Sequence, residues 1–305
     1  MKNKIGWAVL FIKTVYRTKQ KEASDMIRIV ADTTCDYPQE LGIENKITIV
    51  PLKVTINGMN FDDKLELSNE KFFRLLPQSE QLPVTAAPSP ERYRQVFESY
   101  CAQGDSVLCF TCSSKLSASY QSALVAKDMV DGKIDVIDTR TAALGSGMPV
   151  MDALEMIEQG KSHEEIVESC RARISRMSTL ILLDTVEYLK KGGRINPLAA
   201  RMASVLNIKP IIHVLKDGSN EVIHKARSFQ KGMEWIRKYV AEHCGKPIQE
   251  QRIGIGYSSD PQPAHRFAAF LQSKVKPARI DIASIGCVVG THIGPGAFGI
   301  FWEDV

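Results

Sequence analysis

A single histidine, His292, stands in the stretch GTHIGPGAFGIFW near the end of the chain, with glycines on both sides and an apolar run after it. An imidazole can donate a hydrogen bond to an anion, and glycines let a backbone come close to a ligand. Three other positions offer matching chemistry. Ser117, in SSKLSASYQSA, is suited to cap a helix starting near Ala118, where free N–H groups and a partial positive charge favour a carboxylate or phosphate. Thr85 puts a hydroxyl in the proline-braced loop PVTAAPSP. Arg194 follows two glycines in KKGGRIN, and its planar fork binds anions. Taken singly, each has a plain structural account: a loop histidine, an ordinary cap, a helix lead-in, and a surface arginine beside a Schellman turn.

Enzyme signatures are missing from the chain. There is no GxGxxG after a strand, no Walker A loop, no GxSxG and no HExxH, and no two carboxylates stand out as an acid/base couple. Hydroxyls, an arginine and a histidine make an anion cradle more readily than a catalytic machine. Cys109 and Cys112 form a CxxC, but without a second CxxC or a histidine pair at zinc spacing they read as small core residues near a strand end. No cofactor and no metal are expected. The seven cysteines are scattered and odd in number, which fits a reducing cytoplasm.

The elements that would position these residues change character along the chain. From Met26, apolar runs alternate with amphipathic helices: MIRIV, ITIVPLKVTINGMNF with a turn at Asn57-Gly58, a helix in PSPERYRQVFESYCAQG, SVLCF, a helix after TCSSKLS, KIDVIDT, and a helix over Leu144–Gln159. That order predicts βαβ units and a mostly parallel sheet. Small polar clusters follow three of these runs, DTTCD (32–36), TCSS (111–114) and DTRT (138–141). Ligands of open parallel sheets bind outside the carboxyl ends of the strands, so the three clusters suggest one shared rim. The second half contains a helix near Glu164–Met177, a hairpin turning at Asp217-Gly218, and further strands and helices, an α+β pattern with antiparallel strands. The expected organisation is therefore α/β with two domains, residues 26–170 and 171–305.

With 305 residues and 44% hydrophobic composition the chain has core enough for both. Charge is balanced in the body: the whole chain carries +4, and so does the segment 1–25, whose six Lys/Arg face only Glu22 and Asp25. A basic groove for nucleic acid is not visible. The apolar stretch Ile5–Ile12 is too short to span a bilayer and lacks a cleavage pattern. Drawn as a helix, Ile5, Ala8, Val9, Ile12 and Tyr16 share a face that suits weak contact with a membrane surface. A disordered extension and an upstream start codon are the other two readings of residues 1–25.

From Ile27 onward these motifs resemble, in order and spacing, the DegV family of bacterial fatty-acid-binding proteins. The likeness rests on ADTTCDYP, PVTAAPSP, SSKLSASYQSA, DTRTAALGSG, KKGGRI, the KP at 209–210 and GTHIGPGA. It implies two α/β-type domains with a long-chain fatty acid in a tunnel between them. The carboxylate would be held by Thr85, Ser117 and His292, with Arg194 lining the same region and Ser113, Ser114 and Ala118 as secondary contacts. It also implies a carrier, not an enzyme, that hands the acid to a separate fatty acid kinase for acyl phosphate formation. A small phosphotransferase or hydrolase using the same cleft is the alternative. Two stretches depart from the family pattern. The usual T-S-Q-P is TAAP here, with Ala86 and Ala87, and the usual L-S-G-T-Y is LSASY, with Ala118 for glycine. Both departures bear on which acid fits.

Overall fold

A computed structural model describes residues 26–195, 208–243 and 248–304. The readings of residues 1–25 and of Cys244 lie outside the described residues. In chain order the strands are β1 (Ile27–Asp32), β2 (Ile47–Val50), β3 (Lys53–Ile56), β4 (Met59–Asp62), β5 (Val84–Ala86), β6 (Ser106–Thr111), β7 (Ile134–Asp138), β8 (Met177–Leu182), β9 (Lys209–Val214), β10 (Asn220–Ala226), β11 (Arg252–Tyr257), β12 (Arg279–Ser284) and β13 (Phe298–Glu303). The described helices are α1 (Asn69–Leu75), α2 (Pro90–Cys101), α3 (Ser119–Lys127), α4 (Leu144–Glu158), α5 (His163–Arg176), α6 (Glu187–Lys191), α7 (Phe229–His243), α8 (Gln262–Lys274) and α9 (Cys287–Ile293).

The first sheet is all parallel, in the order β2-β1-β6-β7. Its strands are apolar on both faces because helices cover both. Val30, Val107 and Cys109 meet Tyr93 and Phe97 of α2 and Ala123 of α3. The alternate residues Ile29, Ala31, Leu108 and Phe110 meet Val150 and Ala153 of α4 and Ile166 and Cys170 of α5. The second sheet runs β10-β9-β8-β13-β11-β12 and is antiparallel except for the β11–β12 pair. Its outer face packs on α7 and α8. Its inner face meets Leu144, Met148 and Met151, which also belong to α4. Helix α4 thus lies between the two sheets, and its first turns, from Leu144 to Met151, are buried all round, as such a place requires. Position 170 falls within α5, and the first strand of the second sheet starts at Met177.

Three local expectations are corrected. ITIVPLKVTINGMNF is not one continuous sheet element. Strand β2 joins the parallel sheet, whereas β3 and β4 form a hairpin in a separate sheet with β5. The turn at Asn57 and Gly58 has φ of 50° and 75°, as a tight hairpin demands. PVTAAPSP is likewise not a bare helix lead-in, because Val84–Ala86 pairs with β3, Thr85 opposite Val54. The third correction concerns GTHIGPGAFGIFW. Gly290–Ile293 belong to α9, so His292 sits in the last turn of a short helix and not in a loop. The glycines serve aromatic packing: a Cβ at Gly290 would come 2.6 Å from Phe73, and one at Gly294, whose φ is 75°, would come 2.4 Å from the Tyr188 ring.

A buried ion pair ties the three sheets together. Asp36 follows β1 and accepts the Gly286 N–H at 3.1 Å, just ahead of α9. Lys64, after β4, lies 2.8 Å from the same carboxylate and donates to the Cys35 carbonyl at 2.7 Å. Burial pulls the Lys64 ammonium down, and the Asp36 charge beside it more than offsets that, so its net pKa is raised and it stays charged. Removing one partner of such a pair leaves an uncompensated buried charge. Lys64→Met is therefore expected to cost about 3 kcal/mol in urea unfolding. The double variant Lys64→Met/Asp36→Asn is expected to cost less than the sum of the singles, and additive losses would show that the pair is not coupled.

Candidate functional site

The inner face of the second sheet, the strand ends of the first and helix α9 enclose a cavity of about 170 Å³. The sheet register builds its floor. Asn220 pairs with Val214, Val214 with Thr179, and Thr179 with Phe301. Directly paired residues share a face, so these four side chains form one row across β10, β9, β8 and β13, and all line the cavity. Ile181 and Gly299, the next pair along β8 and β13, continue the floor.

The opposite wall comes from the polar clusters at the ends of the parallel strands. Thr34, Cys112 and Thr141, one from each cluster, line the cavity. Asp32 holds two of these loops in place: one carboxylate oxygen accepts the Thr34 N–H at 2.9 Å and the Thr34 hydroxyl, and the other accepts the Cys112 N–H at 3.1 Å. Cys109 and Cys112 are both buried, and burial pushes their thiols well up, away from thiolate chemistry. Among the described residues no cluster of His, Cys, Asp and Glu could hold a metal ion.

Five of the residues expected at a carboxylate site come together here: Thr85, Ser117, Ala118, Arg194 and His292 all line the cavity. Thr85 Oγ1 lies 3.0 Å from His292 Nε2. The other ring nitrogen, Nδ1, is buried without a hydrogen-bond partner and packs on Gly192, where a Cβ would come within 2.3 Å of it. Gly192 is therefore the residue that makes room for the ring. Arg194 reaches across to the first sheet's loop, donating from Nε to the Leu116 carbonyl at 3.2 Å and from Nη1 to Gly192 at 2.5 Å. Asn220 holds the arginine's backbone, donating to its carbonyl at 3.0 Å.

Burial, reinforced by the Arg194 charge, pushes the His292 pKa from 6.5 down to about 4. The ring is neutral at neutral pH. With Nε2 protonated it donates to Thr85 Oγ1, which leaves the threonine's own proton to donate to an anion in the cavity. Ser117 takes a slightly different place from the one expected. The helix starts at Ser119 with Ala118 at its cap position, and the Ser117 hydroxyl accepts the Ser119 N–H at 3.2 Å. Ser117 is thus not the cap: it lies one residue before it, and Ala118 at the cap position offers no side-chain acceptor.

Ser113 and Ser114 are engaged elsewhere. The Ser113 hydroxyl donates to the Gly218 carbonyl at 2.8 Å, fastening the β9–β10 turn to the first sheet. Ser114 borders an open basin outside the cavity with Lys115, Gln121 and Gly193. Thr179, Val214 and Asn220 went unforeseen as lining residues. No local signal marks them, because strand register alone brings them into one row. Thr34, Cys112 and Thr141 lay within the rim clusters but were not separable from neighbours such as Thr33, whose hydroxyl instead accepts the Leu52 N–H.

Comparison with known proteins agrees with this architecture. A family model described as an uncharacterised protein of the DegV family matches residues 26–305. A DegV domain-containing protein of Caldanaerobacter subterraneus subsp. tengcongensis is 35% identical over 281 residues, 92% of this chain and 99% of the relative. A solved structure from Thermus thermophilus, described as fatty acid binding of a DegV family protein, superposes with a TM-score of 0.81 at 29% identity, covering 92% of this chain and all of that one. A stearic acid-binding protein from Eubacterium ventriosum superposes equally well, TM-score 0.81 at 28% identity, over 92% of this chain and 98% of that one.

The depressed His292 pKa fixes a stability trend. The unfolded chain takes up the proton first as pH falls below 6.5, so this residue's contribution is fully present above that value and is lost as pH drops toward about 4. The parent protein is expected to lose more stability between these limits than His292→Gln, measured by urea unfolding across the range. Parallel losses in both proteins would contradict the buried, neutral ring.

Proposed function

The chain belongs to the DegV family, and we propose that it binds a long-chain fatty acid in this cavity, between proposed domains 26–170 and 171–305, with the carboxylate at Thr85, Ser117, His292 and Arg194. The observation that carries the reading is a largely apolar cavity with a neutral histidine–threonine pair in its wall. An acyl chain gains ~0.8 kcal/mol for each methylene it buries. Its carboxylate is costly to bury unless hydrogen-bonded, and the hydroxyls and the histidine meet that need. Solved structures of family members described as binding fatty acids support the same ligand class.

The head end also suits handing over the acid. Leu116, Ser117, Ala118 and Arg194 line both the cavity and the open basin outside it, so a carboxylate held there lies next to solvent. On this reading the protein is a cytoplasmic carrier that presents its ligand to a separate fatty acid kinase, which forms the acyl phosphate. Among the described residues no helix is long and apolar enough to cross a membrane. Contact of residues 1–25 with a membrane surface belongs to the same proposal, and flotation with liposomes should depend on that segment.

The expected result is an acyl chain released by organic extraction and seen on the intact protein by native mass spectrometry, or uptake of added oleate or palmitate after delipidation. Neither outcome appearing would sink the reading. His292→Ala and Thr85→Val should each weaken fatty-acid binding about tenfold, the loss of one charge-assisted hydrogen bond, with an unchanged circular dichroism spectrum. Acyl phosphate should form from ATP only when kinase and carrier are both present; turnover by this chain alone would assign it the chemistry instead.

A further inference from the structure

We propose that the far end of the cavity is built to receive a hydroxyl group on the acyl chain, with Thr141 and Thr179 as the residues that bind it. This rests on the fatty-acid reading and adds a ligand subclass to it.

The cavity has two distinguishable ends. Ser117, Ala118 and Arg194 border the open basin at the head end. On another side, Thr141, Thr179 and Val214 also line a second small recess that continues to Ile174 and Met177 and to the polar Thr139, Arg140 and Lys216. None of the carboxylate-site residues borders that recess. The two threonines therefore stand where the distal part of an acyl chain would lie.

Their hydroxyls are not used up by the protein. Thr141 Oγ1 and Thr179 Oγ1 are 3.4 Å apart, longer than the usual O–H···O range of about 2.5–3.0 Å. Among the described residues neither hydroxyl makes another hydrogen bond, and both residues are buried. Thr179 is held on the cavity face by its register with Phe301 and Val214, which a one-residue slip would reverse for the whole strand. Gly145 leaves the space beside Thr141, since a Cβ there would come 2.7 Å from its Oγ1.

On the cavity side the pair has the apolar Val214, Ile181, Phe301 and Ala143 for neighbours in the lining. Valine would fill the shape of either threonine without the polar atom. A methyl-ended chain would strip water from both hydroxyls and return nothing. A hydroxyl on the chain can accept from one threonine and donate to the other, which satisfies all three groups.

The test uses the delipidated full chain, with affinities measured by competition for hexadecanoate and its ω-hydroxy and subterminal hydroxy derivatives. At least one hydroxy acid should bind more tightly than hexadecanoate. In the Thr141→Val/Thr179→Val variant that preference should fall about tenfold, the loss of two net hydrogen bonds, while hexadecanoate binds as well or better. A preference absent from the parent protein, or unchanged in the variant, overturns the proposal and leaves fatty-acid binding standing. Failure of every acid to bind the parent protein overturns both. If the double variant does not fold, Thr179→Val alone should lower the preference about threefold, and an unchanged preference there is equally decisive against it.

Discussion

The Asp36 carboxylate is the point on which the arrangement of the three sheets depends. It leaves the end of β1, takes the Lys64 ammonium from the β3–β4 hairpin, and accepts the backbone N–H of Gly286, immediately ahead of α9. A buried carboxylate needs such partners, and here they come from segments 250 residues apart for Asp36 and Gly286. Because α9 carries His292 and the hairpin sheet carries Thr85, the same contact sets the two halves of the histidine–threonine pair against one another. Backbone contact is close at this junction: a Cβ on Gly147 of α4 would lie 1.8 Å from the Asp36 carbonyl oxygen.

Helix α4 shows what that junction makes possible. Its Val150 and Ala153 belong to the core under the first sheet, and its Leu144 and Met148 to the core under the second. One helix shared by two sheets is buried on both sides through its first turns, and only toward its C-terminal end do Glu155 and Glu158 reach solvent. The space that remains beyond its N-terminus is the cavity, bounded by Ala143 at the start of the helix and Phe301 of the second sheet. The extent of the cavity is thus a consequence of how far the shared helix extends.

Electrostatics inside the cavity are restrained. Arg194 is a charged lining residue, and its guanidinium is spent partly on the Leu116 and Gly192 carbonyls. His292 is held neutral by burial and by that same arginine. On the proposed reading, an anion here would be met by oriented hydrogen-bond donors and one shared cation instead of by a cluster of full charges. That limits the cost of the site when it holds no anion, because like charges are not crowded together.

By itself the sequence determined most of the strands and helices, the parallel character of the first half's sheet, and the rim of small polar residues at the strand ends. Those features follow from local periodicity and from turn chemistry, which neighbouring residues encode. The motif order also marked Thr85, Ser117, Arg194 and His292 before any geometry was known. Other features were settled only by tertiary structure. Strand β3 does not stay with β2 but starts a separate sheet, because Pro51 lies at the break between them and nothing local says which sheet each strand will join. His292 lies on a helix, because Gly290 and Gly294 fit against Phe73, Phe72 and Tyr188, residues distant in the chain. The cavity floor of Asn220, Val214, Thr179 and Phe301 was invisible in the sequence for the same reason: strand pairing has a period of two and no local mark of its partner, so only the folded register reveals which side chains share a face.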